Sequence, residues 1–226
     1  MTIQEFQTIE AHMLDKMKDS AHDRYHIDRV LHFALDIAGT EKGVDMDVLL
    51  AACLLHDIGR EKQAENPALC HAQIGGEMAY QYLTQTGWSM GKAGHVKSCI
   101  ASHRYRGDNA QESLEAKILF DADKLDVTGA IGVARTLIYG GQIGEPLYLL
   151  DQDGEIVVEG TDAEKSSFCQ EYHYKLKRLY EAFYTQRARQ LAKDRRENAT
   201  AFYNALYTEI SGNQKTGRQK LQELLT

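Results

Sequence analysis

Apolar positions recur at helical intervals along almost the whole chain. Ile3, Phe6, Ile9, Met13 and Met17 step by threes and fours, the spacing of one helix face. Val30, Phe33 and Ile37 outline a second amphipathic helix that begins near Tyr25. From about Met46 to Asp57 the pattern changes. Val48-Leu49-Leu50-Ala51-Ala52-Cys53-Leu54-Leu55 is apolar on every side, which reads as a helix buried all round and stopped by Gly59. Further helices are predicted from about His71 to Gln85, Met90 to His103, Ser113 to Asp126 and Gly129 to Tyr139. Tyr172, Leu176, Leu179 and Phe183 mark another, and Leu191, Phe202, Leu206 and Ile210 a long one after it. Periodicity breaks only around residues 140–160, where Asp151-Gln152-Asp153-Gly154 is a turn between Leu149-Leu150 and Ile156-Val157-Val158. A short hairpin fits there. The expected fold class is all-α, a helical bundle with one small irregular or hairpin excursion.

Composition adds limits rather than a function. The chain has 226 residues, enough for a single domain over residues 1–226, and its 43% apolar and 26% charged fractions are ordinary. No apolar stretch is long enough to cross a bilayer, and Met1-Thr2-Ile3-Gln4-Glu5-Phe6 lacks a signal-peptide pattern, so a cytoplasmic location is expected. Cys53, Cys70, Cys99 and Cys169 show no Cys-x-x-Cys spacing, which argues against a disulfide scaffold or a thiolate zinc site. A formal net charge of −7 disfavours non-specific nucleic-acid or anionic-membrane partners. The local basic cluster of Arg187, Arg189, Lys193, Arg195 and Arg196 reads as a solvated helix face.

Chemistry enters at the end of the buried helix, where His56 and Asp57 fall in a water-poor place. A buried carboxylate without a partner is costly, so Asp57 requires a cation, a metal or several donors. His26 lies on the apolar side of its own helix, because positions 26, 30, 33 and 37 share a face. The segment Lys117–Asp126 is an apolar helix loaded with acids. Helix phase alone does not choose among Asp121, Asp123 and Asp126, and Asp126 points closest to the apolar centre. Three helices thus deliver imidazoles and carboxylates toward one core, a mixed N/O donor set that suits Mn²⁺, Fe²⁺, Ni²⁺ or Mg²⁺.

Taken in order, His26 in Asp23-Arg24-Tyr25-His26-Ile27-Asp28-Arg29-Val30, then Leu55-His56-Asp57-Ile58-Gly59, then Ala122-Asp123-Lys124-Leu125 resemble the H…HD…D signature of the HD phosphohydrolase superfamily. Phe120–Asp126, Gly129-Ala130-Ile131-Gly132-Val133-Ala134-Arg135 and Pro146-Leu147-Tyr148 are similar to its bacterial nucleotide-hydrolase subfamily, over roughly residues 20 to 210. The resemblance implies an HD-domain bundle with a metal-binding core at about 20–140 and a C-terminal helical part at about 162–226 packed on it. It makes His26, His56, Asp57 and Asp123 the ligands of one divalent ion (Mn, Mg, Fe or Ni), with Asp57 and Asp123 also orienting a metal-activated water. It implies cleavage of a phosphate ester or anhydride in a small phosphorylated substrate, a nucleotide, with triphosphate going to monophosphate plus pyrophosphate as one outcome. A monomer and a homodimer are both compatible. The alternatives are an HD-fold di-iron oxygenase and a non-catalytic nucleotide-binding module.

Around these four, Glu61 is a candidate catalytic carboxylate and Lys62 a phosphate contact, or both belong to a solvated charge cluster. Arg29 and Lys124 are candidate substrate-phosphate contacts, with an ion pair to a neighbouring acid as the alternative for each. His95 or His103 is expected near substrate phosphate, while His71 equally fits a helix start. The lack of a His-His doublet counts against a second ion. His12, His22, His32 and His173 read as structural or exposed. Gly75-Gly76 and Gly129-x-x-Gly132 read as packing positions rather than phosphate loops.

Overall fold

The structure is a computed structural model and describes residues 1–17, 24–104, 111–159 and 166–226. His22 and Asp23, together with Tyr105 and Arg106, lie outside the described residues. By the grouping of its contacts the chain divides into two compact units, Met1–Asp126 with Phe183–Gln190, and Val127–Ala182 with Leu191–Thr226.

The first unit holds α1 (Ile3–Lys16), α2 (Arg24–Ala38), α3 (Met46–Leu55), α4 (Arg60–Glu65), α5 (His71–Gln85), α6 (Met90–Ser102) and α7 (Leu114–Leu125). Their starts are set by side-chain caps. Thr2 and Glu5 form a capping box at α1, the Asp45 carboxylate accepts from the amides of Asp47 and Val48, and Ser89 and Ser113 cap α6 and α7. The apolar run forms the central helix. In α3, Val48, Leu49, Ala51, Ala52, Cys53, Leu54 and Leu55 are buried, and α1, α2, α5, α6 and α7 all pack against it. Burying each large aliphatic contributes on the order of 1.5–3 kcal/mol, so this helix has little freedom to shift. Its C-terminal end is therefore a fixed platform for His56 and Asp57.

Beyond Asp57 come a turn and the short helix α4, which the periodic pattern does not reveal. Gly59 makes this turn possible. A Cβ there would lie 2.2 Å from the His71 carbonyl oxygen and 2.7 Å from the Gly75 amide nitrogen. Gly75 in turn sits against the Gly59 backbone and the His56 carbonyl. This close approach brings the start of α5 onto the end of α3.

The second unit holds α8 (Gly129–Ile143), α9 (Phe168–Glu171), a π-helical turn (Tyr172–Leu176), α10 (Lys177–Leu179) and most of α11 (Gln186–Leu225), whose first residues belong to the first unit. Its core joins Val133, Ile156, Phe168, Cys169, Leu176 and Ala199, with the rings of Tyr172 and Tyr203 stacked at 4.0 Å. α8 runs past Tyr139 to Ile143 before Gly144 takes a left-handed φ of 73°. The irregular excursion contains one isolated antiparallel bridge, Leu150 to Ile156, and among the described residues there is no β-strand. The single helix expected through Phe183 is instead broken into α9, the π-turn and α10, which ends at Leu179. All four cysteines are free thiols.

Candidate metal centre

α2, α3, α5, α6 and α7 each bring one or two polar side chains to a single buried place in the first unit. His26 comes from the first turn of α2, His56 caps α3 and Asp57 is the next residue. His71 opens α5, His103 caps α6, and Asp123 stands in the last turn of α7. His26, His56, Asp57, His71, His103 and Asp123 are all buried.

They form two groups whose donor atoms lie within 4.8 Å of one another, His26–His56–Asp123 and Asp57–His71–His103. Asp57 faces both. Its Oδ2 is 3.5 Å from His26 Nε2 and 3.7 Å from His56 Nε2, while its Oδ1 is 3.6 Å from His71 Nε2 and 3.7 Å from His103 Nε2. Asp123 Oδ1 stands 3.6 Å from His26 Nε2 and 3.9 Å from His56 Nε2.

The partners of the outer nitrogens set the tautomers. His56 Nδ1 lies 2.8 Å from the Cys53 carbonyl and His103 Nδ1 lies 2.6 Å from the Ile100 carbonyl. His71 Nδ1 lies 2.5 Å from Gln63 Oε1, and His26 Nδ1 lies 2.8 Å from Asp126 Oδ2. Carbonyl and carboxylate oxygens only accept, so each Nδ1 carries the proton and donates. Each neutral ring then turns an Nε2 lone pair inward. The Nε2 atoms of His26 and His56 are 3.2 Å apart, lone pair against lone pair. Among the described residues, both Asp57 oxygens and the Nε2 atoms of His71 and His103 are buried without a hydrogen-bond partner. Apart from the Arg60 guanidinium beside Asp57 Oδ2, these are converging buried acceptors, which fit a cation, and the set could hold a divalent ion.

Charge and burial are arranged to keep Asp57 and Asp123 ionised and His56 and His71 neutral. Burial opposes ionisation of Asp57, but the Arg60 guanidinium beside it outweighs burial and holds the carboxyl well below its usual range. Asp123 is likewise opposed by burial and held low by Lys124 beside it. Burial lowers His56 to about 4 against the pull of Asp57 and Asp123. Burial and then Arg60 lower His71 to about 2, against Asp57. Each of three acids has its own cation. Arg60 Nε is 2.7 Å from Asp57 Oδ2, Lys124 Nζ is 2.6 Å from Asp123 Oδ2, and Arg29 Nε is 2.6 Å from Asp126 Oδ1.

The remaining expected positions divide. His103 joins the cluster, and so does His71, which also opens α5 as its alternative helix-start reading has it. Arg29 forms the ion pair with an acid that stood as its alternative. Lys62 is exposed and pairs with Glu65, and Glu61 is exposed in the first turn of α4. His95 lies at the opposite end of α3 and α7, 3.2 Å from Glu115, whose other oxygen accepts from the Asp45 amide. His12 and His173 are half-buried and His32 is exposed. Arg60 and Asp126 were not singled out for a role by the sequence. A usable signal existed for both, since Arg60 stands three residues after Asp57 and Asp126 points into the core.

Against known proteins, residues 24–128 match the HD domain family. A Bacillus subtilis protein, the uncharacterized YpgQ, is 32% identical over 199 residues, 86% of this chain and 87% of its own. The chain belongs to the HD superfamily of metal-dependent hydrolases. An HD-superfamily hydrolase from Bacillus thuringiensis superposes with a TM-score of 0.66 at 29% identity, covering 92% of this chain and 95% of that one. The structure of YpgQ in complex with ADP gives a TM-score of 0.70 at 28% identity, over 92% of this chain and 98% of that one. Among the described residues no helix is long and apolar enough to cross a membrane.

Proposed function

We propose that this HD protein is a phosphohydrolase that cleaves a phosphate ester or anhydride of a nucleotide, with a triphosphate cut to monophosphate and pyrophosphate as the leading reaction. The observation that carries it is the pair of inward lone pairs on His26 and His56, flanked by the ionised Asp57 and Asp123. In this reading those four hold the divalent ion. Such an ion supplies Lewis acidity, making a water acidic near neutral pH and drawing charge from a phosphoryl oxygen. Asp57 and Asp123 orient the attacking water. Glu61 stays a candidate proton acceptor, because catalytic contacts tighten only around substrate. Arg60 and Lys124 each neutralise one acid, so an added divalent ion leaves the site net positive, which suits an anionic phosphate. The nucleotide assignment is supported by ADP in the YpgQ complex. His95 has no part in this reading.

A second reading is that Asp57, His71 and His103 would hold a second ion, Asp57 facing both groups. The sequence argument against it was the missing His-His doublet, but His71 and His103 come together from different helices without one. Two ions also fit the oxygenase alternative. The test is release of phosphate or pyrophosphate from a nucleotide panel with Mn²⁺, beside O₂ uptake by iron-loaded protein. Hydrolysis lost in His56→Ala/Asp57→Ala supports the proposal. Hydrolysis that survives in that variant rejects it, and O₂ uptake with two irons per chain and no hydrolysis favours the oxygenase.

A further inference from the structure

Asp126 belongs to neither ligand group, yet it is fully buried at the C-terminal cap of the same acid-rich helix. Its Oδ2 accepts from His26 Nδ1 at 2.8 Å and from Arg29 Nη2 at 3.0 Å, and its Oδ1 accepts from Arg29 Nε at 2.6 Å. Arg29 stands about one helical turn after His26 in α2, so α2 supplies both donors and the end of α7 the one acceptor that ties them. The other three inward-facing imidazoles donate to neutral oxygens, the carbonyls of Cys53 and Ile100 and the amide of Gln63. His26 alone donates to a carboxylate.

We propose that Asp126, clamped by the Arg29 guanidinium, is a positioning residue for His26. It keeps the ring proton on Nδ1, aims Nε2 at Asp123 and Asp57, and makes His26 the most electron-rich of the four imidazoles. The role rests on the reading of His26 as a metal ligand, and it assigns Asp126 and Arg29 away from direct contact with ion or substrate. A bidentate Arg–carboxylate pair is stiff, which suits a support whose purpose is orientation. Carboxylate support of a ligating imidazole raises its basicity, and its loss typically weakens metal binding about 10–100-fold.

The test uses full-length Asp126→Asn, Arg29→Gln and Arg29→Lys proteins beside the wild type, each shown to be folded by circular dichroism. Two measurements are made, Mn²⁺ affinity by titration calorimetry and the ring-nitrogen NMR pattern of His26 in the metal-free protein. In the wild type His26 shows the Nδ1–H tautomer. In Asp126→Asn that pattern shifts or becomes a tautomer mixture, and Mn²⁺ binds about 10–100-fold more weakly. Arg29→Gln gives a smaller loss, and Arg29→Lys recovers part of it. A folded Asp126→Asn protein with unchanged tautomer and Mn²⁺ affinity overturns the proposal. If Asp126→Asn does not fold, an Arg29→Gln protein indistinguishable from wild type in both measurements overturns it as well. Absence of Mn²⁺ binding in the wild type would instead sink the metal reading, while the NMR pattern would still decide the role of Asp126.

Discussion

His26 Nε2 and His56 Nε2 face each other across 3.2 Å, and each ring has committed its proton to the far nitrogen. Two lone pairs at that separation repel unless something positive lies beside them. Asp57 and Asp123, each with one oxygen beside its own cation, Arg60 or Lys124, turn further acceptor oxygens to the same place. The metal-free protein therefore carries an electrostatic cost that a divalent ion removes.

Metal should stabilise the fold by mass action. At about 100 times its dissociation constant, Mn²⁺ is expected to add about 2.7 kcal/mol, a rise of roughly 5–10 °C in melting temperature. EDTA should reverse the gain, and His56→Ala/Asp57→Ala should show none. Scanning fluorimetry with and without metal checks this, and equal shifts in both proteins would contradict it.

Acid should weaken the metal-free protein in two stages. An unfolded histidine titrates near 6.5, whereas burial holds His56 at about 4 and His71 at about 2. Below about pH 6.5 the unfolded chain thus binds more protons, and stability falls as pH drops toward 4. Asp57 and Asp123 are held low, so their contribution is present above about pH 4 and is lost below it, as pH falls toward their folded-state range. Urea unfolding in EDTA at pH 7.5, 5.5 and 4.5 should give steadily lower midpoints. A flat profile from 7.5 to 4.5 would show that the rings do not sit buried and neutral.

Two acids of one segment, Asp121 and Asp123, should separate by function. Asp121 accepts from the amides of Tyr184 and Thr185 and from the Thr185 hydroxyl, fastening residues 183–190 to α7. Asp121→Ala leaves those donors unpaired and should cost about 2–4 kcal/mol with Mn²⁺ affinity intact. Asp123→Ala should do the reverse, abolishing metal binding with a smaller effect on the metal-free fold. Chemical denaturation paired with calorimetry distinguishes them, and loss of Mn²⁺ binding in folded Asp121→Ala would contradict the assignment.

These acids also show how far the sequence reaches. Periodicity located most of the helices, though not α4 or the break between α9 and α10, and the all-apolar run marked α3 as central, because both signals are local. Helix phase correctly turned Asp126 inward, but an inward carboxylate serves equally as ligand, clamp or support. Which one it becomes depends on His26 and Arg29, nearly a hundred positions away. Whether His71 only opens its helix or also joins the cluster was open for the same kind of reason. Its place in the cluster depends on the Gly59–Gly75 backbone approach, which no side-chain pattern records. His95 failed in the other direction, since a histidine on a neighbouring helix can lie at its wrong end.

That glycine approach is itself testable. Gly59→Ala puts a methyl group into the His71 carbonyl and should destabilise by more than about 2 kcal/mol. Gly91→Ala, in the first turn of α6 with nothing within 4 Å of the added carbon, should stabilise by up to about 1 kcal/mol. Equal effects of the two changes would mean that α5 does not press on the turn after α3.

The most direct measurement is anomalous diffraction from crystals grown with Mn²⁺. A peak bonded to His26 Nε2, His56 Nε2, Asp57 and Asp123 is the predicted result, with any second peak at Asp57, His71 and His103. An ordered crystal with no peak among these side chains, or with manganese bound elsewhere, would contradict the account.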